Sequence, residues 1–228
     1  MLALMRSETE KIKERYEKRN SALAISENVK SSIYNQCVQA ERELFYNTIL
    51  NKCFKKVPDL KVLEIGAGTG INLYFLLKKG FIPGNIYANE LLEERVSVLE
   101  SNFPNIHIDE GDACQLKYIR DFDVVFQSLV FTSILDRSFR RKLAERMWQM
   151  KKSEGIILWY DFIYNNPSNS DVNGVKKREV VSLFPNAKHF EFRKVTLAPP
   201  IGRRIGEFYF LINTLLPFLR THLAAVIR

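Results

Sequence analysis

The sequence predicts an α/β fold, a single doubly wound sheet, and three observations carry that reading. From residue 61 onward, short β-branched runs alternate with segments of helical apolar spacing. A glycine-rich turn, in VLEIGAGTG, joins the first such run to the helix that follows. With 228 residues, 46% hydrophobic and 26% charged, the chain suits one packed core with a short extra segment. That composition excludes disordered, collagen-like and low-complexity architectures.

The elements follow in order. Residues 7–20 are charge-dense with Ile12 and Tyr16 four apart, and residues 27–54 carry Leu44, Phe45, Thr48 and Ile49 on one side. Both read as helices, an amino-terminal cap over 1–56 ahead of a main domain at 57–228. KVLEI (61–65) is a buried strand, INLYFLLKK (71–79) a helix stopped by Gly80, and NIYANE (85–90) a strand after the Pro83-Gly84 turn. A helix over 91–102, a strand over 105–109 and an apolar strand over 123–131 come next. Ser138 is placed to cap a helix whose Phe139, Leu143, Met147 and Met150 share a face and which closes on Lys151-Lys152. GIILWYDF (155–162) is the fifth strand, followed by an Asn-rich loop, a helix over about 175–184, a strand over 188–197, an insert at 199–219 and a last strand in THLAAVIR.

Three widely spaced cysteines, Cys37, Cys53 and Cys114, form no CxxC pattern, which argues against a disulfide framework and a structural zinc and fits a reducing, cytoplasmic setting. The apolar run in MLALMRSETEK is too short for a signal-peptide core, and Tyr209–Leu219 is about half a bilayer span. The net charge of +8 is concentrated: residues 174–228 hold ten Lys/Arg, three Glu and no Asp, a surplus of +7. Such a surplus suits an anionic partner, whether nucleic acid, a phosphate-bearing small molecule or peripheral contact with a membrane surface, and equally a solvated face.

Chemistry gathers at the first crossover. Gly66, Gly68 and Gly70 strip side chains from the turn after the first strand, and Glu90 ends the second strand 24 residues beyond Gly66. A carboxylate there is acceptor-only and suited to both hydroxyls of a ribose. The nicotinamide fingerprint wants a glycine at the sixth position from Gly66, where this chain has Ile71, so the pattern is instead E-x-G-x-G-x-G.

From about residue 60 to the end the chain resembles the class I S-adenosylmethionine-dependent methyltransferases. LEIGAGTG is similar to their first motif, with Glu64, Gly66, Ala67, Gly68 and Gly70 under the methionine part of the cofactor. Glu90 and Leu91 match the ribose position, Asp112-Ala113 in EGDACQL the pair facing adenine, and Gln127 a further cofactor contact after the fourth strand. Asn89-Glu90 replaces the commoner hydrophobic-Asp ending and lengthens the carboxylate by one methylene. The resemblance implies a Rossmann-like sheet of seven strands in the order 3-2-1-4-5-7-6 with the last antiparallel. FTSILD, LWYDFIYNNPSNSDV, VTLAPPIGRRI and LPFLRTHLAAVIR also resemble a bacterial branch associated with surface-polysaccharide and secondary-metabolite pathways. That branch implies a sugar or glycan hydroxyl as acceptor.

Since the cofactor's sulfonium is already electrophilic, the protein's main task is alignment, and an alcohol acceptor gains from a general base. Topology puts the start of an antiparallel seventh strand beside the end of the fifth, so Asp161 and His222 are expected to face one another as an orienting carboxylate and a base. His107 and His189 fall at the wrong end. Acceptor contacts are expected from Ser128, Tyr160, Tyr164, Asn165 and Asn166, and from Arg203 and Arg204 in the insert for an anionic substituent. Tyr16, Arg15 and Arg19 are placed to close over the cofactor. No clustered His/Asp/Glu set indicates a metal. Two rivals remain. One is a nucleic-acid methyltransferase, disfavoured for base amino groups because the segment after the fourth strand reads QSLVFTS and the only Asn-Pro is Asn166-Pro167. The other is a catalytically silent binding module. A phenolic or carboxylate acceptor also stays open, as does the oligomeric state.

Overall fold

The computed structural model describes residues 7–23, 29–166 and 169–228, with the side chains of 19–32 left aside. Residues 1–6 and 24–28 of the expected cap, Pro167 of the Asn-Pro pair and the Arg19 side chain therefore lie outside the described residues.

Seven strands form one sheet: β1 (Val62–Ile65), β2 (Ile86–Glu90), β3 (His107–Glu110), β4 (Phe122–Ser128), β5 (Lys151–Phe162), β6 (Phe190–Leu197) and β7 (Arg220–Ile227). Their order is β3-β2-β1-β4-β5-β7-β6, with β1 to β5 parallel and β7 antiparallel to both β5 and β6. The strand order reverses between β1 and β4, and at such a switch point a crevice opens beyond the carboxyl ends of the strands.

Among the described residues eight helices cover the two faces: α1 (Glu8–Leu23), α2 (Val29–Cys53), α3 (Ile71–Lys79), α4 (Glu93–Asn102), α5 (Arg137–Met150), α6 (Lys177–Leu183), α7 (Pro199–Ile205) and α8 (Tyr209–Leu215). Because strand side chains alternate, Val62, Val124 and Leu158 pack under α2, α3 and α4, whereas Leu63, Val125 and Trp159 pack under α1, α5 and α6. The insert between β6 and β7 docks on α2, where Tyr34 meets Tyr209 edge-on at 5.8 Å and Glu41 accepts from Tyr209 and Asn213.

Four local expectations need correction. In α2 the packed face is Phe45, Tyr46, Ile49 and Leu50; Leu44 and Thr48 are exposed, because the helix meets the sheet about one residue round from the assumed stripe. The cap of α5 is Asp136, whose Oδ1 accepts from Ser138 N at 2.6 Å and Phe139 N at 3.1 Å, a carboxylate being the stronger acceptor at a helix start. Lys151 and Lys152 open β5 rather than close α5, and the Lys151 ammonium curls back onto the carbonyls of Lys152 and Ser153. The fourth strand stops at Ser128, since Leu129 adopts φ 62° and a short 3₁₀ turn follows at Phe131–Ser133.

Candidate active site

The glycine turn divides its work unequally. Gly66 has φ 67°, and a Cβ there would meet Val130 Cγ2 at 2.6 Å. Gly70, the amino-terminal cap of α3 at φ 88°, would drive a Cβ to 2.3 Å from the Phe103 ring, so it serves packing against α4. Only Gly68 has nothing within 4 Å of the place a Cβ would occupy, and there the backbone opens onto free space. Gly66→Ala is expected to lower stability by about 2–4 kcal/mol, from a left-handed alanine and a displaced Val130. Gly68→Ala carries only the backbone strain but puts a methyl into the cavity. Thermal unfolding together with ligand calorimetry should therefore show the first variant losing mainly melting temperature and the second mainly affinity.

Glu90 folds back over this turn. Its Oε2 accepts from Gly68 N at 2.7 Å, and its Oε1 from Leu91 N at 2.9 Å and Leu92 N at 3.0 Å. A carboxylate offers about four acceptor positions, so three backbone donors leave about one for a ligand. The expectation that Glu90 takes both hydroxyls of a ribose directly is thus reduced to one. Beside it the Asn89 amide donates to Asp109 O and Gly111 O, which sets the β3 exit. Asp112 caps the next turn by accepting from Cys114 N at 2.8 Å.

These groups surround a cavity of about 330 Å³. Gly66, Ala67 and Gly68 line it from β1, Glu90 and Leu91 from β2, Asp112 and Ala113 from the β3 exit, and Ser128 from β4. Helix α1 roofs it through Thr9, Ile12 and Tyr16. The roof is tied down: Tyr16 Oη lies 3.0 Å from Ser133 Oγ, and Arg15 donates to Ser133 O and pairs with Glu8, which in turn accepts from Leu135 N. Arg15 therefore anchors the lid and does not line the space.

A buried polar set lies on the α2 face at the carboxyl ends of β1 and β4. Glu64 is fully buried; its Oε1 accepts from Asn72 at 2.6 Å, while Oε2 has no partner. Burial, against the pull of Asn72 and Arg42, pushes its carboxyl up to about 8. Arg42 of α2 lines the cavity, donates to Ser128 Oγ at 3.1 Å and lies 5.2 Å over the Tyr160 ring, and its Nε is buried without a partner. The sequence reading missed Arg42, Asn72 and the Thr9–Ile12 contacts. A signal for Arg42 existed: it is four residues before Tyr46, a cation on the packed stripe of α2.

Glu64, Gly70 and Gln127 stand behind the cavity. Gln127 is buried, with Oε1 accepting from Val130 N at 3.1 Å, so it shapes the loop after β4. The expected Asp161–His222 pair does not form. The register matches Phe162 to His222 and Asp161 to Leu223, and a one-residue offset between strands sends the two side chains to opposite faces. Asp161 instead caps the 3₁₀ turn, accepting from Phe131 N at 3.0 Å, Thr132 N at 3.3 Å, the Thr132 hydroxyl and Phe162 N at 2.9 Å. Burial raises its carboxyl to about 6 even so. His222 stacks on Tyr160 at 5.0 Å and has Thr221 Oγ1 3.1 Å from Nδ1. Burial, reinforced by Arg42, lowers its imidazole to about 3, far below what a base needs.

Tyr160 is equally unavailable, its hydroxyl 2.8 Å from Thr196 Oγ1 in the interior. Tyr164, Asn165 and Asn166 are exposed outside the cavity, and the Asn165 side chain accepts from Gly174 N to form the loop. Arg203 and Arg204 are exposed on α7 and do not line the cavity either, because Gly202, not an arginine, faces the Tyr34 ring.

Residues 62–155, spanning β1 to the start of β5, match the family described as a methyltransferase domain. That stretch, less than half of the 228 residues, holds the glycine turn, Glu90 and Asp112. The fold is shared with a magnesium protoporphyrin IX methyltransferase from Synechocystis solved with bound SAM (TM-score 0.66, 10% identity, 100% of each chain). It is shared also with SAM-dependent methyltransferases from Archaeoglobus fulgidus (0.55, 17%, 85% of this chain and 98% of that one) and Mesorhizobium loti (0.56, 14%, 79% and 96%). No curated protein matches this chain in sequence. The donor set suits a hydroxylated, cationic ligand: a bare Gly68 backbone and a spare acceptor on Glu90 face the cavity, and an unpartnered buried oxygen on Glu64 lies behind it.

Proposed function

We propose that this chain is an S-adenosylmethionine-dependent methyltransferase that O-methylates a small polar acceptor, a sugar or glycan hydroxyl, and that an anionic substituent of the acceptor pairs with Arg42. The bound cofactor supplies an electrophilic sulfonium methyl. Around it, Glu90 and Leu91 would hold the ribose, Asp112 and Ala113 would border the adenine, and Asn72 with the Gly66–Gly68 backbone would receive the amino-acid end, with Glu64 behind Asn72. The observation that carries the reading is the buried polar set at the ends of β1 and β4, where Glu64 Oε2 and Arg42 Nε lack partners. An orphaned acceptor and an orphaned cationic donor in the interior each cost folding free energy, which a cationic cofactor beside the one and an anionic acceptor on the other would offset.

With Asp161 and His222 turned away, the residues at hand orient the acceptor and do not deprotonate it. Alignment of this kind supplies about 7–11 kcal/mol of a transfer barrier. Ser128 and Arg42 border the acceptor side, and the sugar assignment rests on the FTSILD and LWYDFIYNNPSNSDV resemblance. The Arg42 guanidinium takes over the anion-binding role first assigned to Arg203 and Arg204. Labelled-methyl assays on neutral sugars, uronic acids, phenols and RNA test this directly. Incorporation into a uronic acid that falls about tenfold or more in Arg42→Ala, with affinity for S-adenosylhomocysteine kept, is the expected result. Incorporation into phenols or RNA alone overturns the acceptor class.

Glu64 adds a pH signature. Below about pH 8 the free site holds a proton on this carboxyl, and an ammonium bound in front of Asn72 favours its loss through the field across the buried pair. Cofactor affinity is therefore expected to rise about tenfold per pH unit on approaching that value and then flatten. Calorimetry in buffers of different ionisation enthalpy should show proton release, which Glu64→Gln removes. In the ligand-free protein the sign is opposite. The folded state binds this proton up to about 8 where the unfolded chain releases it near 4.5, so stability falls as pH rises through that window.

A further inference from the structure

The insert presents its apolar side to solvent. Among the described residues fourteen large apolar side chains are exposed, and five of them, Phe208, Phe210, Leu211, Leu215 and Phe218, fall within residues 208–218. Helical spacing explains the pattern. Tyr209 and Asn213 of α8 turn inward onto Glu41, so Phe208, Leu211 and Leu215 share the opposite, outward stripe at 65%, 55% and 63% exposure. Phe218, at 71%, continues it beyond the helix. A stripe inverted in this way is not a folding requirement, since the inward face already has its partners.

Cations border the stripe. Arg203 and Arg204 are exposed on α7, and Arg193 and Lys194 are exposed on the edge strand β6, where Arg220 donates to Lys194 O. The insert's one acidic residue is Glu207. No helix among the described residues is long and apolar enough to cross a membrane.

We propose that residues 199–219 form a docking surface for an anionic lipid bilayer. Phenylalanine and leucine side chains enter the boundary between headgroups and acyl chains, while the arginines of α7 and the edge of β6 pair with lipid phosphates. Charge selects this occupant over a second copy of the chain. An isologous contact through the insert would set Arg203, Arg204, Arg193 and Lys194 against their own copies, with Glu207 the insert's one counter-charge.

Flotation of the intact protein with vesicles tests the surface, using phosphatidylcholine alone and phosphatidylcholine mixed with phosphatidylglycerol. The protein is expected to float with the mixed vesicles and to be released as sodium chloride is raised. Leu211→Ser combined with Leu215→Ser should abolish flotation. Arg203→Glu combined with Arg204→Glu should weaken it by at least roughly fivefold per cation lost. Unchanged melting temperature and S-adenosylhomocysteine binding show that both variants are folded. No flotation of the wild type, or flotation that ignores both lipid charge and the variants, overturns the proposal. So does a dimer in sedimentation that the Leu211→Ser, Leu215→Ser variant dissolves.

Discussion

Alanine in place of Glu90 is expected to weaken S-adenosylhomocysteine binding by at least about a hundredfold, or about 2.7 kcal/mol. The reason is double. The variant loses an acceptor for a ribose hydroxyl, and it frees the backbone donors of Gly68, Leu91 and Leu92, which Glu90 holds at 2.7–3.0 Å. Hydrogen bonds to a charged group are worth about 1.5–3 kcal/mol each, so the glycine turn should also loosen and the melting temperature fall. Glu90→Gln separates the two roles only partly, because its amide nitrogen would confront donors. Glu90→Asp retains the charge but falls one methylene short of Gly68 N, and should keep more affinity than alanine. Calorimetry and thermal unfolding on the three variants check this; an alanine variant within about threefold of wild-type affinity would remove the ribose assignment.

The second large effect is structural where a catalytic one was expected from the sequence. Asp161→Ala removes the acceptor of four donors beneath the Phe131–Ser133 turn, and losing one member of such a buried charged network costs about 3–5 kcal/mol. For a chain of this length that lowers the melting temperature by roughly 6–20 °C. His222→Phe should behave in the opposite manner. Its imidazole stays neutral in the fold down to about 3, below its ordinary 6.5. The unfolded chain therefore binds more protons in that window, and wild-type stability falls as pH drops through it. The phenylalanine variant should keep turnover near neutral pH and lose less stability on acidification. Turnover lost in His222→Phe with fold and cofactor affinity intact would restore the histidine to the reaction.

The glycine-turn side of the cavity was legible because its chemistry is local. Gly66, Gly68 and the Glu64 carboxylate sit within one strand and one turn, and Glu90 and Asp112 end the next two strands, so parallel pairing alone brings them to one edge. The Arg42 side was not, because it is assembled from distant segments. Arg42 reaches Ser128 across 86 residues, and only docking of α2 on the sheet shows that the cation on its stripe faces the cavity. Arg203 and Arg204 look alike in sequence to any paired anion site. They point outward because the neighbouring Gly202 is the residue that fits against Tyr34.

Strand periodicity and turn chemistry sufficed for the alternation of strands and helices, and the resemblance carried by LEIGAGTG implied the seven-stranded order. Tertiary structure alone decided which residues meet across non-sequential strands. Asp161 and His222 do reach the same edge, yet β5 and β7 pair with Phe162 opposite His222, and a side-chain repeat of two turns that single-residue step into a change of face.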